Sequence, residues 1–194
     1  MQILPLILFG IATAFTPGPN NIMSSYSGFN FGFKKTIPLM LGVIIGWTTM
    51  ITLMASGMIY VFQKYFFLQS VIKYLGTIFL IYLAYKIAFS PTNISTNINK
   101  PVSFFDTFLF QFINPKGVII AMILVSTFID SQNYYLRDSL IVIIISFFMA
   151  VFSVSSWCIL GKYLRKFATS QNFIKKFNYT MSFLLIVCVI MFYV

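Results

Sequence analysis

The sequence predicts an all-α, polytopic membrane protein: six transmembrane helices forming two inverted three-helix repeats, with helices one and four broken at prolines. Three observations predict it. Of 194 residues, 59% are hydrophobic and only 8% charged, where a soluble domain carries about a quarter charged residues. Six apolar stretches approach the roughly 20 residues that cross a bilayer. Prolines interrupt the first and fourth of these stretches at nearly half-chain spacing.

A globule this poor in charge has too little polar surface to cover itself, so the composition excludes a soluble enzyme and a disordered tail. It also excludes a nucleic-acid-binding domain. The 13 Lys and Arg, against 3 Asp and Glu, lie in short runs between apolar stretches, where they orient a membrane protein. There is no histidine. Cys158 and Cys188 both sit inside apolar runs and read as small buried residues. No metal site, cofactor or disulfide framework is expected from them.

Span one runs from Ile3 to Met23 and is interrupted at Pro17 and Pro19. It lacks the basic start and the cleavage site of a signal peptide, and is expected to be retained. Span two, Ile37 to Phe62, carries Gly42 and Gly46 as a small-xxx-small face, with Gly28 and Gly32 repeating the spacing before it. Such faces join helices within one chain or between protomers of a homo-oligomer. Span three is Phe66 to Phe89, where Tyr82 and Tyr85 are secondary candidates for lining a cavity. A polar linker, residues 90–103, follows. Span four, Phe105 to Ile129, is interrupted at Pro115; Asp106 stands at its entrance as an interfacial residue, and Asp130 and Asp138 flank the next loop as solvated ones. Spans five and six are Leu140 to Gly161 and Phe177 to Val194. Residues 1–194 thus read as one integral membrane unit, with repeat one at about 1–89 and repeat two at about 104–194.

Loop charges set the orientation. The loops after spans one, three and five hold Lys34, Lys35, Lys86, Lys100, Lys162, Arg165, Lys166, Lys175 and Lys176, whereas the other side holds Lys64, Lys73 and Arg137. Both termini are therefore expected to face away from the cytoplasm. A merely re-entrant first span would move the N-terminus across.

A proline inside a spanning helix removes a backbone donor. Lipid cannot satisfy the freed carbonyl, so such breaks survive only against protein or a water-filled cavity. Pro17 and Pro115 are 98 residues apart, close to half the chain. Paired interruptions in inverted repeats point to a transporter's central site. The first break offers Thr16, Gly18, Asn20 and Asn21, and the second offers Gln111, Asn114 and Lys116. Helix N-termini favour a carboxylate. Asn and Gln donate to a carboxylate and accept from an ammonium group, so the set suits a zwitterionic amino acid. Lys116 lies ten residues beyond Asp106, about 15 Å along a helix. A charge at that depth costs about 2.5–3.5 kcal/mol on insertion scales. It reads as a carboxylate clamp or proton carrier, or else as a lysine whose stem reaches the headgroups.

Thr16-Pro17-Gly18-Pro19-Asn20-Asn21 and Gln111-Phe-Ile-Asn114-Pro115-Lys116 resemble the motifs of the LysE/RhtB family of bacterial amino-acid exporters. The resemblance continues through Gly32-Phe-Lys-Lys35, Gly42/Gly46 and the stretches around residues 84–92 and 100–129, which look most like the cysteine/O-acetylserine subgroup. It implies a plasma-membrane exporter of small amino acids or their derivatives, generally thought to use the proton gradient. Pro17, Gly18, Pro19 and Asn20, and Asn114, Pro115 and Lys116, match the family's motifs. Some relatives carry an acidic residue where this chain has Trp47; with Lys116 inward and no central carboxylate, neutral substrates are expected. The alternative on the same scaffold is a small-solute channel or facilitator. An intramembrane enzyme would need an acid–base pair, nucleophile or metal set that this chain lacks. The expected partners are a small amino acid and the lipid bilayer, with no nucleic acid.

Overall fold

A computed structural model describes residues 3–90, 101–130, 133–168 and 170–193. Most of the linker expected at 90–103 lies outside these residues. The described residues form eight α-helices and no strands: α1 (Ile3–Phe15), α2 (Pro19–Leu53), α3 (Ile59–Lys64), α4 (Phe66–Ala88), α5 (Phe104–Ile113), α6 (Pro115–Phe128), α7 (Tyr135–Arg165) and α8 (Gln171–Ile190). A π-helical segment, Met54–Met58, joins α2 to α3.

Four helical stretches are long and apolar enough to cross a membrane: Pro19–Lys64, Phe66–Ala88, Tyr135–Arg165 and Gln171–Ile190. The pair α5–α6, bent by 62°, makes a fifth if counted as one span. Large apolar side chains cover their outer faces; Leu4, Ile78 and Phe183 are each about two-thirds exposed. An apolar surface this continuous suits lipid rather than water. The protein is a multi-pass membrane protein.

Residues 24–36, expected to connect spans one and two, are helical except at Gly32, which turns the chain at φ 77° and ψ 170° within α2. Only glycine takes that backbone conformation readily. Ser24 donates to the Val154 carbonyl at 2.7 Å, and the Ser27 and Thr36 hydroxyls pair at 2.9 Å. A sequence that looks like a polar loop is therefore a buried helix whose hydroxyls are spent on its neighbours.

Small residues bring the helices to backbone contact. A Cβ at Gly42 would collide with the Phe104 carbonyl and the Thr107 hydroxyl, and one at Gly46 would come 2.8 Å from the Phe108 carbonyl. The small-residue face of α2 thus packs within the chain, on α5. Gly28 meets the Cys158 carbonyl and Gly161 meets the Ser25 carbonyl, which seats α2 on α7. Gly32 has nothing within 4 Å and serves the turn, not the packing face. α4 packs along α8.

Asp106 closes a capping box at the start of α5 with Ser103. Asp138 departs from expectation: it is 1% exposed and pairs with Arg137 at 2.9 Å. Its other oxygen accepts the Asp130 backbone N–H at 3.4 Å, so the carboxylate ties the α6–α7 connection to α7. Tyr82 and Tyr85 point outward from α4.

Candidate functional site

Pro19 and Pro115 occupy the first turns of α2 and α6, where a missing N–H costs nothing. Gly18 and Asn114, the residues before them, are extended, as the proline ring demands of its predecessor. The two helix starts meet. A Cβ on Gly18 would lie 3.0 Å from the Lys116 ammonium, so glycine leaves room for the lysine to pass. Lys116 donates to the Thr16 hydroxyl at 2.8 Å and reaches the Pro17 carbonyl at 3.5 Å.

Beside this crossing is a cavity of about 100 Å³, well above the roughly 10–15 Å³ that admits one water. Gly18, Pro19, Asn20, Asn21, Asn114 and Lys116 line it together with Ser146 and Ser153 of α7. Leu6, Trp47, Ile120, Leu124, Ile145 and Met149 supply its apolar wall. Thr16, Pro17, Gln111 and Pro115 are not in the wall. Thr16 instead holds the lysine.

Gln111 is fully buried behind Asn20. The two amides exchange reciprocal bonds, Asn20 Nδ2 to Gln111 Oε1 at 2.8 Å and Gln111 Nε2 to Asn20 Oδ1 at 3.1 Å; Gln111 also donates to the Thr107 carbonyl at 2.7 Å. Asn21 donates to the Ala14 and Thr16 carbonyls at 2.7 and 3.0 Å, which replaces the helical bonds lost where α1 ends. Ser153 bonds both the Ala14 carbonyl, at 2.6 Å, and Asn21 Oδ1, at 2.9 Å.

Two groups on the wall stand out electrostatically. Lys116 has no carboxylate partner: among the described residues the one ion pair is Arg137–Asp138. It also sits in the first turn of α6, where the helix dipole is positive and a cation is disfavoured. Asn114, 3% exposed, has an Oδ1 with no hydrogen-bond partner among the described residues. The site therefore presents an unpaired positive charge to the cavity, and Asn114, one of its lining residues, keeps a buried acceptor without a partner among the described residues. Among the described residues no group of His, Cys, Asp or Glu is gathered to hold a metal.

The profile of the LysE type translocators matches residues 11–194. The chain belongs to the LysE type translocator family. Its members are transporters, not enzymes. This translocator is 26% identical over 182 residues to proteins named cysteine/O-acetylserine efflux protein in Escherichia coli K12 and Shigella flexneri serotype 5b; each alignment covers 94% of this chain and 92% of the relative. No solved structure is significantly similar to the translocator.

Sequence reasoning missed Ser146, Ser153 and Met149 as wall residues of the translocator. The run Phe152-Ser-Val-Ser-Ser156 gives no sign of which serine faces inward; only the packing of α7 on α1 and α2 selects Ser153.

Proposed function

We propose that this translocator is a secondary transporter that exports small neutral amino acids or derivatives, of the cysteine and O-acetylserine kind, across the bacterial plasma membrane. One observation carries the proposal: the Lys116 ammonium stands on a cavity wall with no carboxylate to neutralise it. A substrate carboxylate supplies that charge, helped by the free N–H groups at the starts of α2 and α6. The substrate's ammonium group then has Asn114 Oδ1 as an acceptor. The apolar wall suits a short uncharged side chain, while a cationic one would be repelled by Lys116. The names of the relatives support the same class.

In this reading the ten motif residues divide their work. Gly18, Pro19, Asn20, Asn21, Asn114 and Lys116 form the surface the substrate meets. Thr16, Pro17, Gln111 and Pro115 position them. The spans number six, as two inverted repeats: α1 with residues 19–31, residues 33–64 and α4 make the first, and α5–α6, α7 and α8 make the second. The shared site opens to each side of the membrane in turn, with both termini outside the cytoplasm.

The test is efflux from proteoliposomes preloaded with labelled cysteine, O-acetylserine, threonine, homoserine, leucine or lysine. Saturable efflux of a neutral member that exchanges with unlabelled substrate, and is lost in Lys116→Met, is the expected result. Normal transport by the variant would move the site elsewhere, and robust lysine efflux would overturn the preference for neutral substrates.

A further inference from the structure

At the end of the molecule opposite the Arg137–Asp138 pair, the end of α7, the start of α8 and the α2 turn at Gly32 meet around Phe29. Phe29 stacks on Phe177 with ring centroids 3.8 Å apart, and the Arg165 guanidinium lies 5.3 Å from the Phe29 ring centre. The adjoining Asn30 donates to Asn178 Oδ1 at 3.0 Å. Two buried donors flank this Phe29–Asn30 step without an acceptor among the described residues: Arg165 Nη1 and Asn178 Nδ2. Asn178 is 1% exposed. A buried donor left unsatisfied is costly, and a charged one more so.

The surroundings carry no anion to fill the gap. Lys34, Lys35, Lys162, Lys166, Lys175 and Lys176 are all exposed on these same segments. The chain has three acidic side chains; Asp106 is engaged with Ser103, Asp130 with Asn133 and Asp138 with Arg137. A guanidinium and an amide donor, both left without acceptors beside Phe29 and Asn30, suit the oxygens of a phosphate. Basic recesses between membrane helices are where phosphate headgroups bind.

We propose that this corner is a phosphate-binding site, with Arg165 Nη1 and Asn178 Nδ2 as its direct donors and the surrounding lysines as its attracting field. The phosphate is that of an anionic lipid headgroup or a free phosphate. The site is separate from the substrate cavity, so it stands whichever solute the translocator carries.

The purified full chain, in detergent, is titrated with phosphatidylglycerol, phosphatidylcholine or inorganic phosphate while its melting temperature is followed. Phosphatidylglycerol is expected to raise the midpoint where phosphatidylcholine does not. Arg165→Gln and Asn178→Leu are each expected to weaken that response about tenfold in concentration, while the exposed neighbour Lys166→Gln shifts it less than threefold. If Arg165→Gln does not fold, Arg165→Lys, which keeps the charge and loses the fork, is expected to weaken it by several fold. An equal response to inorganic phosphate would assign the site to a soluble phosphate and support its chemistry. Equal responses to both lipids with none to inorganic phosphate, or equal losses in Arg165→Gln and Lys166→Gln, would overturn the proposal.

Discussion

The Lys116 ammonium, in the first turn of α6, donates to the Thr16 hydroxyl at 2.8 Å and so joins two residues 100 apart in the chain. The bond fixes where the positive charge sits on the cavity wall. Thr16→Val removes the acceptor and leaves the charge. We expect the half-saturating substrate concentration to rise by about tenfold, the worth of one hydrogen bond to a charged group, with the maximal efflux rate retained. Lys116→Met is expected to abolish saturable efflux altogether. Proteoliposome kinetics on the two variants separate positioning from binding.

Asn114 gives a prediction in which stability and transport part company. Its buried Oδ1 has no partner among the described residues, and an unsatisfied acceptor costs about 1–3 kcal/mol. Asn114→Leu should therefore melt no lower than the parent protein while losing at least tenfold in apparent affinity. A variant that is destabilised and still transports normally would remove Asn114 from the substrate surface.

The glycines of α2 should fail in two different ways. At Gly42 a methyl group would strike the Phe104 carbonyl, so Gly42→Ala requires backbone movement and costs about 1–3 kcal/mol or more. At Gly32 there is open space within 4 Å, and Gly32→Ala pays only for its backbone conformation, about 1–3 kcal/mol. Removing the neighbouring hydroxyl distinguishes them: Thr107→Ala and Gly42→Ala together should cost less than the sum of the two single changes, whereas no side-chain change rescues Gly32→Ala. Thermal melting in detergent is the readout.

Asp138 is buried, yet its partner Arg137 is 52% exposed, so the pair is only partly shielded from solvent screening. Asp138→Ala leaves the Asp130 N–H without its acceptor and is expected to lower stability by about 1–3 kcal/mol. Arg137→Gln should cost less than half as much, because water can replace the lost contact on its exposed side. Melting temperatures of the two variants check the asymmetry.

The polar residues around Pro17, Pro19 and Pro115 were legible because few other positions in so apolar a chain carry side chains able to hydrogen-bond. Which of them face the cavity was not legible. Gln111 reads as a donor to a ligand, but the Thr107 carbonyl and Asn20 consume its amide. The helix from Pro19 to Phe31 was hidden for the opposite reason. Ser24, Ser25, Ser27, Gly28 and Asn30 look like a loop until the Val154 carbonyl of α7, Thr36 beyond the Gly32 turn and Asn178 of α8 are placed beside Ser24, Ser27 and Asn30. Asp138 was misread because nothing in its local sequence announces that the α6–α7 connection folds back over it. For Gln111 and the helix over residues 19–31 the deciding partners lie far away in the chain, whereas for Asp138 it is the course of the short connection before it that decides.

The glycine contacts of α2 have a mechanical corollary. Where Gly42 and Gly46 rest on α5, and Gly28 and Gly161 join α2 to α7, bare backbone touches its neighbour. Such close backbone seams leave little slack to give up. In the proposed transport cycle these three helices are the stator. The helices outside it, α1 and α6, are held near the cavity by side chains that can let go and re-form: Asn21 and Ser153 on the Ala14 carbonyl, Lys116 on Thr16. Any movement that opens or seals the cavity falls to them.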